Sequence, residues 1–286
     1  MERICVLGAG SWGTALAHLF AQNVPSVRLW VRSPELCRVL RERRENPTYL
    51  PGIPLSERIE PTTSFAEALA DAEVVFSVVP SHATRGIVRQ IVPHLREGVP
   101  IVSASKGIEN ETLMTVSQIM RSELPPPFHP EIAVLAGPSF AREVASGVPT
   151  AVVLAGTSPR NVEIQHTIST PHFRVYTSRD MIGVELAGAL KNVIAIAAGI
   201  CDGMGLGHNT RAALITRGIA EMTRLGRVLG ANPLTFAGLA GLGDLILTCT
   251  GDLSRNRQVG LKLGAGRKLR EILAEMRMVA EGVKTT

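Results

Sequence analysis

Three groups of residues have the types and spacing to do chemistry. The first is Lys191, set in residues 181–200, M-I-G-V-E-L-A-G-A-L-K-N-V-I-A-I-A-A-G-I, where Glu185 and Asn192 are the only other polar side chains. On a 3.6-residue period small and apolar residues surround the lysine on every side. A helix here is therefore buried all round and holds the ammonium out of bulk water. Desolvation disfavours the charged form and lowers the pKa, which makes a lysine a candidate general acid or base near neutral pH. Glu185 is not the expected partner, because six residues along a helix turn a side chain by roughly 240°. A structural lysine in a buried ion pair is the other reading these residues allow. A membrane span is not, since a charged residue at its centre adds about 2.5–3.5 kcal/mol.

The second group is Gly8-x-Gly10-x-x-Gly13, which follows the β-branched run R-I-C-V-L and opens a small-residue helix. This is a dinucleotide-binding fingerprint in the context it requires. Gly8 permits the tight turn, Gly10 lets the backbone approach a pyrophosphate, and Gly13 lets helix and strand pack closely. The helix N-terminus offers N–H groups to the anion. About 20 residues on, where Asp or Glu would bind a ribose 2′-hydroxyl, the chain has Val31-Arg32-Ser33. Arg32 suits a 2′-phosphate, so NADP is expected to be accepted; stacking on adenine and facing solvent are the alternatives. The third group lies near the C-terminus. A Gly-rich turn from Gly238 presents Asp244, the candidate partner for Lys191, and Ser254-Arg255-Asn256 offers a planar fork and an amide suited to a phosphate.

The elements that position these groups are legible as buried runs. Strands are expected at residues 27–31, 74–79, 101–104, 132–135, 151–154 and 173–176, after the first at 3–7. In an open parallel sheet the ligand crevice lies beyond the carboxyl ends of the strands, so Lys106 and Gly137-Pro138-Ser139 are expected to face the cofactor. After Asp180 the strand pattern stops and helices follow at 181–200 and 210–229, ended by Gly230-Ala231-Asn232-Pro233. The expected fold is an α/β Rossmann-type parallel-sheet domain, residues 1–179, followed by an all-α substrate domain, residues 180–286.

Composition narrows the classes. With 286 residues and 45% hydrophobic but only 4% aromatic content, the chain fits two domains packed through small aliphatic side chains. A formal net charge of +5 is spread along the chain with no aromatic-interleaved basic run, which favours anionic small molecules over nucleic acid. The densest basic cluster, R-E-R-R at 41–44, is expected to be a solvated helix face. Cys5, Cys37, Cys201 and Cys249 lie far apart, against a zinc site or a disulfide scaffold. No metal is expected. The N-terminus lacks a signal-peptide layout, so the expected location is the cytoplasm.

Taken together, G-A-G-S-W-G-T-A at 8–15, S-K-G at 105–107, G-P-S-F-A at 137–141, L-K-N at 190–192, G-L-G-D at 241–244, S-R-N-R at 254–257 and E-G-V-K-T at 281–285 resemble bacterial NAD(P)-dependent sn-glycerol-3-phosphate dehydrogenase. The resemblance spans nearly the whole chain. It implies interconversion of glycerol 3-phosphate and dihydroxyacetone phosphate with NADP or NAD, in the service of phospholipid synthesis, by a homodimer built through the helical domain. It also implies roles. Lys191 would be the catalytic lysine; Lys106, Gly137, Ser139, Lys191, Asp244, Ser254, Arg255 and Asn256 would hold the substrate. Gly8, Gly10, Ser11, Trp12, Gly13, Arg32, Tyr49, Lys106, Ala141, Arg255, Val279 and Glu281 would line the cofactor. Family members continue with further helical residues after E-G-V-K-T, whereas this chain stops at Thr286, so the helical domain is expected to lack a packing layer. Two other functions fit the motifs: a nucleotide-binding protein without turnover, and a two-domain reductase of another phosphorylated or carboxylated hydroxy compound.

Overall fold

The structure, a computed structural model, describes residues 1–276 and 280–285. It divides into two compact units. The first comprises residues 1–105, 116–135 and 139–179; the second comprises 106–115, 136–138 and 180–286. The division near Arg179 is thus interrupted twice, by short segments at the carboxyl ends of strands that group with the second unit.

The first unit is built on β1 (Arg3–Leu7), β2 (Ser26–Trp30), β3 (Glu45–Asn46), β4 (Leu50–Pro54), β5 (Ile59–Thr62), β6 (Val74–Ser77), β7 (Ile101–Ser103), β8 (Ile132–Ala136), β9 (Thr150–Gly156) and β10 (Phe173–Ser178). Eight of these form one sheet in the order β10-β9-β8-β7-β6-β1-β2-β5, and β3 pairs with β4 as a separate antiparallel hairpin. β1 pairs in parallel with both β2 and β6, Cys5 lying opposite Arg28 and Val75. Strands covered on both faces read as unbroken apolar runs. Ile4, Val6, Val27, Leu29, Val74, Phe76, Val102 and Ala133 accordingly share one core with Leu16 and Phe20 of the helix Ser11–Phe20.

Three expectations are corrected here. β6 ends at Ser77 rather than Val79. β5, in the sequence I-E-P-T, is not among the expected strands; Pro61 is tolerated there because β5 is the edge strand beside β2. The 41–44 cluster is not uniformly solvated. Arg44 leaves the helix in a left-handed conformation (φ 51°), and its guanidinium donates to the carbonyls of Ser56 and Ile59, closing the turn into the hairpin.

The second unit is organised around the helix Met181–Gly203. Asp180 caps it, accepting from Gly183 N at 3.0 Å, and also accepts from Asn232 N at 2.9 Å and Thr235 Oγ1 at 2.5 Å. The helix Arg255–Gly264 crosses it through glycines four residues apart. A Cβ on Gly260 would come 2.9 Å from the Gly199 Cα, and one on Gly264 would come 3.0 Å from the Gly203 Cα, so the backbones themselves touch. Beside that crossing, Asp202 accepts from Arg211 of the helix Gly207–Val228 and from Arg257, each at 2.9 Å, tying three helices. Met181–Gly203 is long and apolar enough to cross a membrane by composition. Yet 61% of its most apolar window is buried inside the structure, the pattern of a core helix.

Candidate active site

In the first unit the Gly-rich turn joins β1 to the helix Ser11–Phe20. Gly8 has φ +112°, and a Cβ there would stand 2.9 Å from the Val78 carbonyl oxygen; a Cβ on Gly13 would run into the Gly8 carbonyl. Both glycines are demanded by the fold. Gly10 is not: it has an ordinary φ of −72°, and nothing lies within 4 Å of where its Cβ would be. The helix N-terminus above it carries no side-chain cap. An open position beside an uncapped helix start fits a pyrophosphate approaching the backbone.

Around that turn the structure groups several of the expected cofactor residues. Trp12 and Ala141 pack in one apolar cluster with Ala15, Leu50, Ile53 and Ala145. Tyr49, half-buried, donates its N–H to Asn46 Oδ1 at 3.0 Å. Asn46 is fully buried and donates in turn to the Ala9 carbonyl at 3.0 Å and Thr14 Oγ1 at 2.8 Å, stitching the Tyr49 turn to the glycine turn. Sequence reasoning missed Asn46. Its only signal is the Asn46-Pro47 turn dipeptide, which marks a turn without naming its partner. Arg32 stands exposed just beyond β2 and makes no hydrogen bond or ion pair with the described residues. Ser11 and Ser139 also belong to this unit. Val279 lies outside the described residues.

In the second unit Lys191, Asp244, Lys106 and Gly137 converge. Lys191 Nζ donates to Asp244 Oδ1 at 2.8 Å and to Thr248 Oγ1 at 2.7 Å. Lys106 Nζ donates to the other carboxylate oxygen, Oδ2, at 2.8 Å and to the Gly137 carbonyl at 3.2 Å. Asp244 is only 1% exposed, and Lys191 5%. One buried carboxylate thus serves two ammonium groups, leaving a local excess of one positive charge.

Local structure explains the placement. A single π turn, Leu239–Gly243, delivers Asp244 to the first position of the helix Asp244–Thr250. Such turns occur mostly as isolated insertions near functional groups. A Cβ on Gly241 would collide with the Phe236 backbone, so the turn requires glycine there. Thr248, four residues on from Asp244, shares its helix face and donates its hydroxyl proton to the Asp244 carbonyl at 2.6 Å. A lone pair on the same oxygen accepts from Lys191. Thr248 is a second residue that sequence reading missed, and its spacing from Asp244 is the only sign of it.

The electrostatics follow from burial and charge. Desolvation pulls Lys191 down from 10.5 to about 8, against the opposing pull of Asp244 and with the help of Lys106. Burial pushes the Asp244 carboxyl up, but Lys106 and Lys191 outweigh it and hold the group below the usual carboxylate range. Cys249, nearby, is raised to about 12 by burial and stays a neutral thiol.

The remaining expected residues cluster at the start of the helix Arg255–Gly264. Ser254 is its cap, accepting from Arg257 N at 3.2 Å. Desolvation lowers Arg255 below the ordinary arginine value, against the opposing pull of Glu281. Asn256 is 8% exposed; its amide nitrogen donates to Asn192 Oδ1 at 2.9 Å and its oxygen accepts from Gly282 N at 3.0 Å. The Asn256 amide thereby pins the E-G-V-K-T helix, Glu281–Thr285, to the residue after Lys191. Glu185, as the helical rotation requires, is not with Lys191 but accepts from Thr115 at 2.8 Å.

Comparison with known proteins gives this geometry its family. The model of the NAD-dependent glycerol-3-phosphate dehydrogenase N-terminus matches residues 3–162, and that of the C-terminus matches residues 180–286. The chain belongs to the NAD-dependent glycerol-3-phosphate dehydrogenase family. Among its relatives, the glycerol-3-phosphate dehydrogenase [NAD(P)+] of Syntrophobacter fumaroxidans is 58% identical over 99% of this chain and 83% of the relative. That of Geobacter metallireducens is also 58% identical, over 99% of this chain and 85% of the relative. The crystal structure of the Coxiella burnetii glycerol-3-phosphate dehydrogenase superposes with a TM-score of 0.94 at 40% identity, covering 99% of this chain and 86% of that one. Family membership accounts for an open glycine turn and a buried lysine in one chain.

Proposed function

We propose that Lys191 is the proton-transfer residue of an NAD(P)-dependent oxidoreductase that interconverts sn-glycerol 3-phosphate and dihydroxyacetone phosphate. The observation that carries the assignment is the geometry at Nζ. Of its three non-carbon positions, two point at acceptors with no proton to give back: the Asp244 carboxylate and the Thr248 oxygen, whose own proton is committed to a carbonyl. The exchangeable proton therefore occupies the third position. A neutral Lys191 presents its lone pair there and takes the C2 hydroxyl proton in oxidation; the ammonium returns it to the carbonyl oxygen in reduction. A value near 8 places both forms within reach at physiological pH.

Asp244 orients Lys191 and holds the two ammonium groups on one carboxylate. The single excess positive charge favours an anionic substrate and the charge that develops on the C2 oxygen. We assign substrate contacts to Lys106, Gly137, Ser139, Ser254, Arg255 and Asn256, with Arg255 as the phosphate fork at a helix start. Cofactor binding is assigned to the turn Gly8, Gly10, Ser11, Trp12 and Gly13 with Arg32, Tyr49 and Ala141, and to Lys106, Arg255 and Glu281. The nicotinamide, when bound, supplies or takes the hydride at its C4. The division of labour at residue 179, a cytoplasmic location, a homodimer and a place in phospholipid supply complete the reading. Mixing the protein with dihydroxyacetone phosphate and NADPH should consume the nicotinamide absorbance; no turnover with either NADPH or NADH would overturn it.

A further inference from the structure

Segment 106–115 is a closed loop. Ile108 bridges Thr115, Glu109 N donates to the Met114 carbonyl at 3.0 Å, and Leu113 N donates to the Glu109 carbonyl at 2.8 Å. Whatever fixes Thr115 therefore fixes the start of the loop, where Lys106 stands. Thr115 is 6% exposed, and its hydroxyl donates at 2.8 Å to Glu185, itself 7% exposed on the Lys191 helix. One turn further along that helix, the Lys106 stem runs past Gly188, its Cγ 3.6 Å from where a Cβ would be. Lys106 then ends at Asp244 and the Gly137 carbonyl. The helix that carries Lys191 thus holds the loop at Thr115 and gives its lysine a track to the shared carboxylate.

We infer that the buried Thr115–Glu185 hydrogen bond is a positioning device that holds Lys106 against Asp244. A buried carboxyl is costly unless it is hydrogen-bonded, and the bond from Thr115 fixes one arrangement of the loop on this helix. The arrangement specified here sets the charge around the proton-transfer lysine. Burial lowers Lys191 most; among the described residues Asp244 and Cys249 pull it up, and Lys106 lowers it further by repulsion. Releasing the loop withdraws that repulsion and raises Lys191.

The test rests on the activity proposed above and uses the oxidation of glycerol 3-phosphate, which needs neutral Lys191. The pH dependence of kcat/KM is compared for wild type, Thr115→Val, Thr115→Ser, Lys106→Met and the Thr115→Val/Lys106→Met double variant. Thr115→Val is expected to move the inflection upward by roughly one pH unit, the scale on which a neighbouring charge acts. That shift lowers the rate below the inflection by about tenfold. Thr115→Ser keeps the hydroxyl and the wild-type profile. In the Lys106→Met background, Thr115→Val adds no further shift, because its effect runs through Lys106. An unshifted Thr115→Val profile, or a full extra shift in the double variant, overturns the inference. If the wild type does not turn over, the activity reading fails by itself. The positioning role is then decided by the pH dependence of Lys191 acylation with acetic anhydride in the same proteins, for which the same order of shifts is expected.

Discussion

Replacing Lys191 with Met separates catalysis from structure, because the surroundings of Asp244 set the two consequences at different sizes. Removing one member of a buried ion pair ordinarily costs about 3–5 kcal/mol, since it strands the other charge. Asp244 would not be stranded. It keeps Lys106 at 2.8 Å, and the Thr248 hydroxyl lies 3.4 Å away. Met also fills the space of the lysine stem, and volume-conserving exchanges cost less than about 1.5 kcal/mol. The charge itself is an expense to the fold. Lys191 titrates near 8 when folded against 10.5 ordinarily, so the unfolded chain binds the proton more tightly. Its contribution to stability therefore rises as pH climbs from about 8 to 10.5, and below 8 the buried ammonium is destabilising. At neutral pH the Met variant should unfold in urea within about 1.5 kcal/mol of wild type. Turnover should respond quite differently. Loss of a general acid–base group removes about 10²–10⁴ in kcat, equivalent to about 3–5 kcal/mol of activation free energy. Wild-type oxidation should rise with pH and level off above about 8, and the variant's residual rate should lack that inflection. Urea unfolding, NADPH binding and a kcat–pH profile on one preparation decide the matter. A folded variant with normal kcat, or one destabilised by the full 3–5 kcal/mol of a broken pair, would refute the reasoning.

Other predictions address the rest of the chain. Gly10→Ala adds a methyl where nothing lies within 4 Å, so melting should be unchanged while NADPH affinity falls; Gly13→Ala meets the Gly8 carbonyl and should lower the melting temperature. Equal thermal shifts in the two variants would show that Gly10, too, is there for the fold. Arg32→Asp should weaken NADPH far more than NADH, since it replaces an exposed cation with a like charge for the 2′-phosphate; equal losses in titrations of both cofactors would restrict Arg32 to the shared adenosine. Several carboxyls are held low in the folded state: Glu73 by the backbone N–H of Glu2 above all, and Asp202 and Asp244 by basic partners that outweigh the upward push of burial. Their contribution is complete above the ordinary carboxylate range near 4 and is lost as pH falls below it. Urea midpoints should therefore drop between about pH 5 and pH 3, and a flat profile there would contradict the ion-pair assignments.

What could be read before the structure was set by how far each residue's reason lies from it along the chain. Central strands and the Lys191 helix declare themselves because a run buried on all sides is apolar throughout. β5 does not, since an edge strand can carry Glu60 and Pro61 and still pair with β2. The glycines at 199, 203, 260 and 264 are visible as letters, but their contact exists only once two helices cross. The site divides in the same way. A lysine inside an apolar run and an aspartate at the end of a glycine turn are costly to bury, and cost marks them out. Thr248 and Thr115 are ordinary hydroxyls whose meaning comes from partners 57 and 70 residues away. Lys106 was legible as a lysine beyond a strand end, yet its place as the second ammonium on Asp244 depends on a ten-residue loop that leaves one unit and packs with the other. Charge could therefore be located from the sequence, whereas the direction of the proton on Lys191 could not. That direction is set by two acceptors on the turn after the π segment, and a one-residue change in the length of that segment would rotate Asp244 by about 100° and take the carboxylate away from both lysines.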